Sequence, residues 1–127
     1  MSGPLSDITI LDVSRILSGP FCTMLLRDLG ARVIKIERPG HGDIARHMGP
    51  KIVEKSIDSA YFTSVNRGKE SIGLDIFSGP GQKIFKELVS KVDILVENYV
   101  PGTMSRHGLG YDQIKELNPQ LIYASIS

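Results

Sequence analysis

The sequence predicts an α/β fold in which a parallel sheet carries helices on both of its faces. Short runs rich in branched apolar residues alternate along the chain with segments whose apolar residues recur at helical spacing. The runs are apolar at successive positions, which is typical of strands buried on both faces of a parallel sheet. The chain has 127 residues, enough for one domain with a core of its own.

The first strand covers residues 8–13 (ITILDV) and leads into a helix that Gly19-Pro20 opens. Proline suits the first helical position, because its missing N–H would have no partner there. Gly30 is placed to cap the end of this helix, and residues 32–37 (RVIKIE) form the second strand. We expect Cys22 to be an inert core thiol beside the apolar face of the helix, which consists of Phe21, Leu25, Leu26 and Leu29.

The alternation continues after a long loop over residues 38–59, a kind of segment where functional residues are common. The predicted elements that follow are a short helix (60–65, AYFTSV), a strand (71–76, SIGLDI), a helix from about Pro80 with Ile84, Phe85, Leu88 and Val89 on its apolar side, a strand (93–98, DILVEN), a short helix (111–117) that ends before Pro119, and a last strand (121–127, LIYASIS).

Composition and charge exclude several classes of protein. The formal net charge is +1, so no overall field attracts nucleic acid or an anionic membrane. The start of the chain lacks the basic and apolar regions of a signal peptide, and no apolar run reaches the roughly 20 residues of a membrane helix. The single cysteine allows no disulfide within the chain, so we expect a cytoplasmic, reducing location.

Polar residues follow three of the predicted strands at the point where each strand ends. Ligands of parallel α/β sheets bind outside the carboxyl ends of the strands. We therefore expect a ligand cleft at this edge of the sheet, formed by Ser14-Arg15, Glu37-Arg38 and Glu97-Asn98-Tyr99.

The chemistry of this edge leaves two interpretations of Glu37 and Arg38 open. A dinucleotide site would carry G-x-G-x-x-G after the first strand, but the sequence there (SRILSGPF) has one glycine and a proline. Arg38 suits a phosphorylated ribose or a stacked adenine, because guanidinium is planar and always charged. The alternative is a solvated ion pair at the end of a strand.

Four stretches of the chain together resemble class III CoA-transferases, the CaiB/BaiF group that includes the formyl-CoA, carnitine and dicarboxylate CoA-transferases. The stretches are LDVSRILSGPFCTMLLRDLGARVIKIERPGHGDIAR, YFTSVNRGKESIGLD, DILVENYVPGTMSRHGLGY and ELNPQLIYASIS. Any one alone would be a weak signal, but four in this order are specific. The resemblance runs from Leu5 to Ser127 and implies a Rossmann-like domain without the dinucleotide glycine motif.

The resemblance also implies a set of CoA-binding residues. Arg38 would hold the adenosine 3′-phosphate region, with Glu37 orienting it. Some members carry a polar side chain at the position of Leu17, so an apolar residue there favours an acyl group bulkier than formyl or oxalyl. The full implied set is Leu17, Ser18, Arg38, Leu74, Asp75, Asn98, Tyr99, Val100 and Arg106.

The family's chemistry needs a carboxylate nucleophile, which the resemblance places beyond Ser127. An Asp attacks an acyl-CoA to give an acyl-aspartyl anhydride, and CoA then moves to an acceptor carboxylic acid without a metal. Residues 1–127 would then be the CoA-binding, amino-terminal part of a larger domain. The sheet of this part would be incomplete at the C-terminus of the chain, and this part alone would be inactive. Family members form interlocked homodimers, so a second or complementary chain is the expected partner.

Two other functions remain open in the sequence. The same fold carries acyl-CoA racemases, which use a His and a carboxylate, although ENYVPG (97–102) favours the transferases. A non-catalytic module that binds CoA or a partner chain is the second, and a dehydrogenase fragment is disfavoured by the missing glycine motif.

The remaining polar residues are assigned ordinary roles or none. NRGK (66–69) is either a CoA phosphate contact or a solvated turn, and Pro101-Gly102 is a turn. Asp12 is expected to be structural, and nothing assigns Asp43 a role. Without metal-ligand spacing, solvated loop positions are expected for His41, His47 and His107.

Overall fold

A computed structural model describes residues 2–127 of the chain. Within that range it has five strands, β1 (Thr9–Asp12), β2 (Arg32–Glu37), β3 (Glu70–Gly73), β4 (Ile94–Glu97) and β5 (Ile122–Ser125). The helices over the same range are α1 (Ser18–Asp28), α2 (Ala60–Asn66), α3 (Gly79–Val89), α4 (Thr103–Arg106) and α5 (Tyr111–Ile114), with a 3₁₀ turn at Ile44–His47.

The strands form one sheet in the order β3-β2-β1-β4-β5, and every neighbouring pair is parallel. The predicted α/β fold with a parallel sheet is confirmed. β2 and β3 lie on one side of β1, and the chain then crosses over so that β4 and β5 lie on the other side. Such a reversal beside β1 opens a crevice at the carboxyl ends of the strands. The sequence prediction missed α4, which begins directly after Gly102.

The sheet has an apolar core on each face. One core contains Phe85 of α3, Ile114 of α5 and Leu95 of β4, all fully buried. The other contains Val33 and Val96 with Leu26 of α1 against them. Helices therefore cover both faces, as predicted.

The predicted packing face of α1 was wrong. Phe21, Leu25 and Leu29 are 46%, 46% and 48% exposed, and Cys22 is exposed as well, so it is not a core thiol. Only Leu26 of that face reaches the core. The buried residues of the helix are Gly19, Pro20, Thr23 and Met24.

Close approach to β1 explains which side of α1 faces the sheet. A Cβ on Gly19 would lie 2.2 Å from the Cβ of Ser14, so only glycine fits that contact. Thr23 Oγ1 donates a hydrogen bond of 2.5 Å to Asp12, which is fully buried in β1. The small and polar side of the helix is therefore drawn to the sheet, and the larger apolar side chains face outward.

A row of buried charges lies between the sheet and α1. Lys35 Nζ lies 2.8 Å from Asp43 Oδ2, with both side chains 1% exposed. Lys69 Nζ lies 3.0 Å from Asp12 Oδ2, and Asp12 stands opposite Lys35 in the register of β1 and β2. Burial raises the pKa of Asp12, but the two lysines and the hydroxyls bonded to it more than offset that effect and leave the pKa lowered. Asp12 is thus structural, and Lys69 is neither a solvated turn residue nor open to a phosphate.

Glu37 fastens the long loop to the sheet. Its carboxylate lies 2.7 Å from Arg46 Nη2, accepts from Ser71 Oγ at 2.7 Å, and accepts the backbone N–H of Asp43 at 2.7 Å. The expectation that Glu37 orients Arg38 was wrong, because these bonds occupy both carboxylate oxygens and successive residues of a strand point to opposite faces.

Removing the charge of Lys35 should strongly destabilise the fold. Lys35→Met leaves Asp43 buried without its ion-pair partner, and breaking a buried pair in this way costs about 3–5 kcal/mol of unfolding free energy. Urea titration followed by circular dichroism measures the loss. Lys115→Met, which removes the exposed Lys115–Asp112 pair, is the matched control and should unfold like wild type. Equal midpoints for the two variants would contradict this assignment.

The loss of unfolding free energy at acidic pH should depend on Glu37. Burial alone raises the pKa of Glu37, but the bonds from Arg46, Ser71 and the Asp43 N–H outweigh it and lower the pKa from 4.5 to about 2. A lowered folded-state pKa contributes stability above pH 4.5 that is lost as the pH falls toward 2. Urea unfolding between pH 7 and pH 2 should show a shallower loss for Glu37→Gln than for wild type. Parallel curves would show that Glu37 has the same pKa in both states.

Candidate ligand-binding site at the carboxyl edge of the sheet

A cleft of about 510 Å³ opens at the carboxyl ends of β1, β2 and β3. We call it the edge cleft. Its walls come from the ends of these strands and from the long loop that Glu37 holds in place. The lining residues include Ser14, Arg15, Arg38, His41, Asp43, His47, residues 74–77 and Tyr99.

The turn between β1 and α1, residues 14–17, borders the edge cleft and is held by hydrogen bonds to the backbone of Ser14, Arg15 and Ile16. Lys35 Nζ donates to the Ser14 carbonyl at 2.9 Å. Asn98 accepts from the Arg15 N–H at 2.9 Å and donates to the Arg15 carbonyl at 2.7 Å. The Ile16 N–H donates to Asp43 Oδ1 at 3.1 Å.

Ile16 has a backbone φ of +74°, the left-handed conformation that branched side chains disfavour. Such strain costs on the order of 1–3 kcal/mol and persists where the surroundings over-determine it. It is the single residue other than glycine with a positive φ in the part of the chain described here. The turn is therefore set by its bonded neighbours and not by its own preference.

One wall of the edge cleft is a cluster of aromatic side chains with a guanidinium against it. The Arg15 guanidinium lies 4.5 Å from the ring centroid of Tyr99. The Phe77 ring meets Tyr99 edge-on with centroids 5.4 Å apart, and His107 packs on Phe77 at 4.2 Å. Burial raises the pKa of the half-buried Tyr99, which therefore stays neutral. The wall offers a flat aromatic surface with a cation on it.

The charged side chains at the edge cleft that are not in ion pairs are mainly positive. Glu37 and Asp43 face it, but each is neutralised by the buried partners described above. Arg38 is exposed, and no ion pair or hydrogen bond engages its guanidinium among residues 2–127. Asp75 is the opposing charge at the rim, and one of its oxygens accepts the Phe77 N–H at 3.0 Å. An anionic ligand with a flat ring fits this arrangement.

The structure brings most of the residues suggested by sequence to this edge. Arg38, Leu74, Asp75 and Tyr99 line the edge cleft. Leu17, the last residue of the turn, caps α1 and Ser18 is the first residue of that helix; both are exposed, while Asn98 bonds the turn at Arg15. These three lie outside the cleft lining, as do Val100, which is exposed, and Arg106, which donates to Thr103 Oγ1 at 3.2 Å.

Some residues that shape the site were missed in the sequence. The signal for Lys35 was a lysine inside an otherwise apolar strand, but nothing local names Asp43 as its partner. Phe77 carried no signal. His41 and His47 are exposed, as expected, but they also line the edge cleft.

The described residues hold no group of three or more His, Cys, Asp or Glu side chains that could bind a metal ion. Likewise, no helix within residues 2–127 is long and apolar enough to cross a membrane.

Comparison with known proteins gives one consistent result. The family model for CoA-transferase family III matches residues 5–127. The chain is 53% identical over 124 residues to succinyl-CoA:glutarate CoA-transferase of Homo sapiens, covering 98% of this chain and 28% of that protein. It is 49% identical over 125 residues to acetyl-CoA:oxalate CoA-transferase of Acetobacter aceti, covering 98% of this chain and 31% of that one.

A solved structure of a CAIB/BAIF family protein from Brucella suis matches the fold with a TM-score of 0.93 at 41% identity. The match covers all of this chain and 34% of that protein, so the chain spans about a third of the structure and less of the two curated relatives. The family match extends over nearly every residue of the chain. The chain therefore belongs to CoA-transferase family III.

Proposed function

We propose that this chain is the CoA-binding part of an enzyme that transfers CoA between carboxylic acids. The observation that carries the proposal is Arg38, whose exposed guanidinium has no ion pair or hydrogen bond among residues 2–127 and lies at the edge cleft with its aromatic wall. Coenzyme A presents phosphate groups and an adenine ring, and both match this pair of features.

Arg38 and Arg15 supply the charge for the phosphates in this proposal. A guanidinium binds phosphate through two parallel N–H bonds, a stronger contact than a neutral hydrogen bond. The start of α1 adds backbone donors, because no side chain caps it. Tyr99, with Arg15 on its face, gives the adenine or the pantetheine arm a flat surface. Leu17, Ser18, Leu74, Asp75 and Asn98 complete the site along the same edge, with Val100 and Arg106 at its periphery.

The proposed chemistry begins with a carboxylate that attacks the thioester carbonyl of an acyl-CoA. The C–S bond breaks, CoA leaves as a thiolate, and an acyl-aspartyl anhydride remains. The thiolate attacks the aspartyl carbonyl, which releases the first acid and forms an aspartyl thioester. The acceptor carboxylate then displaces CoA, and CoA attacks the new acyl group to regenerate the carboxylate.

We place the attacking Asp in sequence beyond Ser127. Asp12 and Asp43 are unsuitable because they are buried, paired with lysines and bonded by backbone or hydroxyl donors. Leu17 favours an acyl group larger than formyl or oxalyl, and the human relative is named for succinyl and glutarate.

The proposal includes a second copy of the chain and a cytoplasmic location. The outward apolar side of α1, at Phe21, Leu25 and Leu29, and Ile122 on the edge strand β5, which is 62% exposed, are the surfaces a homodimer would cover. A single exposed cysteine, Cys22, fits a reducing compartment.

Loss of Arg38 should weaken CoA binding in a way that depends on the 3′-phosphate. Arg38→Ala should cost about 1–3 kcal/mol of binding free energy, the range for a charge-assisted contact. Calorimetric titration with CoA and with dephospho-CoA should show the larger loss for CoA. Arg67→Ala, which removes an arginine paired with Asp28, is the control. If Arg38→Ala binds both ligands as tightly as wild type, Arg38 is a solvated residue at the end of a strand and does not contact CoA.

A chimera that contains residues 5–127 should catalyse CoA transfer. Replacing the matching segment of the human relative with residues 5–127 should give succinyl transfer from succinyl-CoA to glutarate, because the added segment supplies CoA binding. Arg38→Ala in the chimera should raise the KM for the CoA ester. A chimera that folds, binds CoA and exchanges an α-proton without transfer would favour a racemase. Turnover by residues 1–127 alone would place the nucleophile within them, with Asp75 the first to mutate.

A further inference from the structure

The turn at residues 14–17 holds a conformation that its own sequence opposes. A branched side chain at positive φ brings its Cβ close to the backbone, so Ile16 would relax to negative φ in isolation. Relaxation would rotate the peptide that joins Ile16 to Leu17. Because Leu17 is the cap of α1, the start of the helix would move with it.

Asp43 is the side chain that opposes this relaxation. Both of its carboxylate oxygens lie within reach of the Ile16 N–H, at 3.1 and 3.3 Å. Asn98 and Lys35 hold the two residues before Ile16, but neither touches Ile16 itself.

Asp43 is itself held by three further contacts, two of them to its carboxylate. Lys35 Nζ lies 2.8 Å from one oxygen, and the other accepts the Ala45 N–H at 2.9 Å. The backbone N–H of Asp43 donates to Glu37 at 2.7 Å. A carboxylate held this firmly can impose a geometry on a strained neighbour.

We propose that Asp43 is a positioning residue that keeps Ile16 in the left-handed conformation and thereby places Leu17 and Ser18 for CoA. This inference rests on the proposed function. Asp43 acts through Ile16, so its removal lowers CoA affinity even in molecules that remain folded. A merely structural Asp43 would lower stability and leave the affinity of the folded fraction unchanged.

Two measurements on the 127-residue chain test the proposal. Calorimetry gives the CoA affinity, and amide hydrogen exchange by NMR reports on the Ile16 N–H without any ligand. Asp43→Asn should weaken CoA binding about tenfold and accelerate Ile16 exchange by a similar factor, since the turn then relaxes toward its preferred φ. Asp93→Asn is the matched control, because Asp93 also accepts a backbone N–H of β1, from Thr9 at 2.8 Å, at the opposite edge of the sheet.

The Ile16→Gly background separates positioning from stability. Glycine takes positive φ without a Cβ penalty, so Asp43→Asn should weaken CoA binding less than about threefold there. An equal loss in both backgrounds, or unchanged affinity and exchange in Asp43→Asn, would overturn the proposal.

Asp43→Glu covers the case in which Asp43→Asn does not fold. It keeps a charge for Lys35 but moves the oxygens, and it should lose Ile16 protection and affinity while remaining folded. Wild-type affinity and protection in this variant would overturn the proposal. If wild type itself does not bind CoA, the proposed function fails, and exchange alone still decides whether Asp43 sets Ile16.

Discussion

The ion pair between Lys35 and Asp43 is the contact on which this edge of the molecule depends. A lysine inside a parallel sheet is costly unless its charge is compensated, and here Asp43 compensates it at 2.8 Å with both side chains almost fully buried. Because Asp43 belongs to the long loop, that requirement draws the loop onto the sheet. The same pair bonds the Ser14 carbonyl and the Ile16 N–H, so the charge that closes the core also shapes the turn above it.

The few charges that are buried near the edge cleft are paired within the fold, which distinguishes them from the exposed charges around it. Among the described residues, no buried side-chain nitrogen or oxygen lacks a hydrogen-bond partner. The carboxylates nearest the edge cleft, Glu37 and Asp43, are therefore neutralised from within the fold. Arg38 stands in contrast because its guanidinium faces solvent at the end of the same strand. The fold thus separates structural charge from charge available to a ligand.

Four of the five strands described were predictable from sequence because each lies in a short apolar run that carries its own signal; β3, predicted at residues 71–76, lies at Glu70–Gly73 and is exposed throughout. Residues 32–37 were predicted to the residue, and the carboxyl-edge site followed from parallel topology. The apolar face of α1 was mispredicted because the close contacts of Gly19 and Thr23 with β1 outweigh the burial of larger side chains. The partner of Glu37 was missed since Arg46 lies nine positions away in an irregular loop, where no periodicity links the two.

The strand order has a consequence for how the chain matures on the ribosome. β2 follows β1 closely and can pair with it early, and the contact of Lys35 with Asp43 spans only eight positions. The other neighbour of β1 comes far later, since Thr9 and Asp93 are 84 positions apart. Translation proceeds at about 5–20 residues per second, so one edge of β1 stays unpaired for roughly 4–17 s during synthesis. During that interval the chain is more prone to aggregate or to bind chaperones than it is after folding.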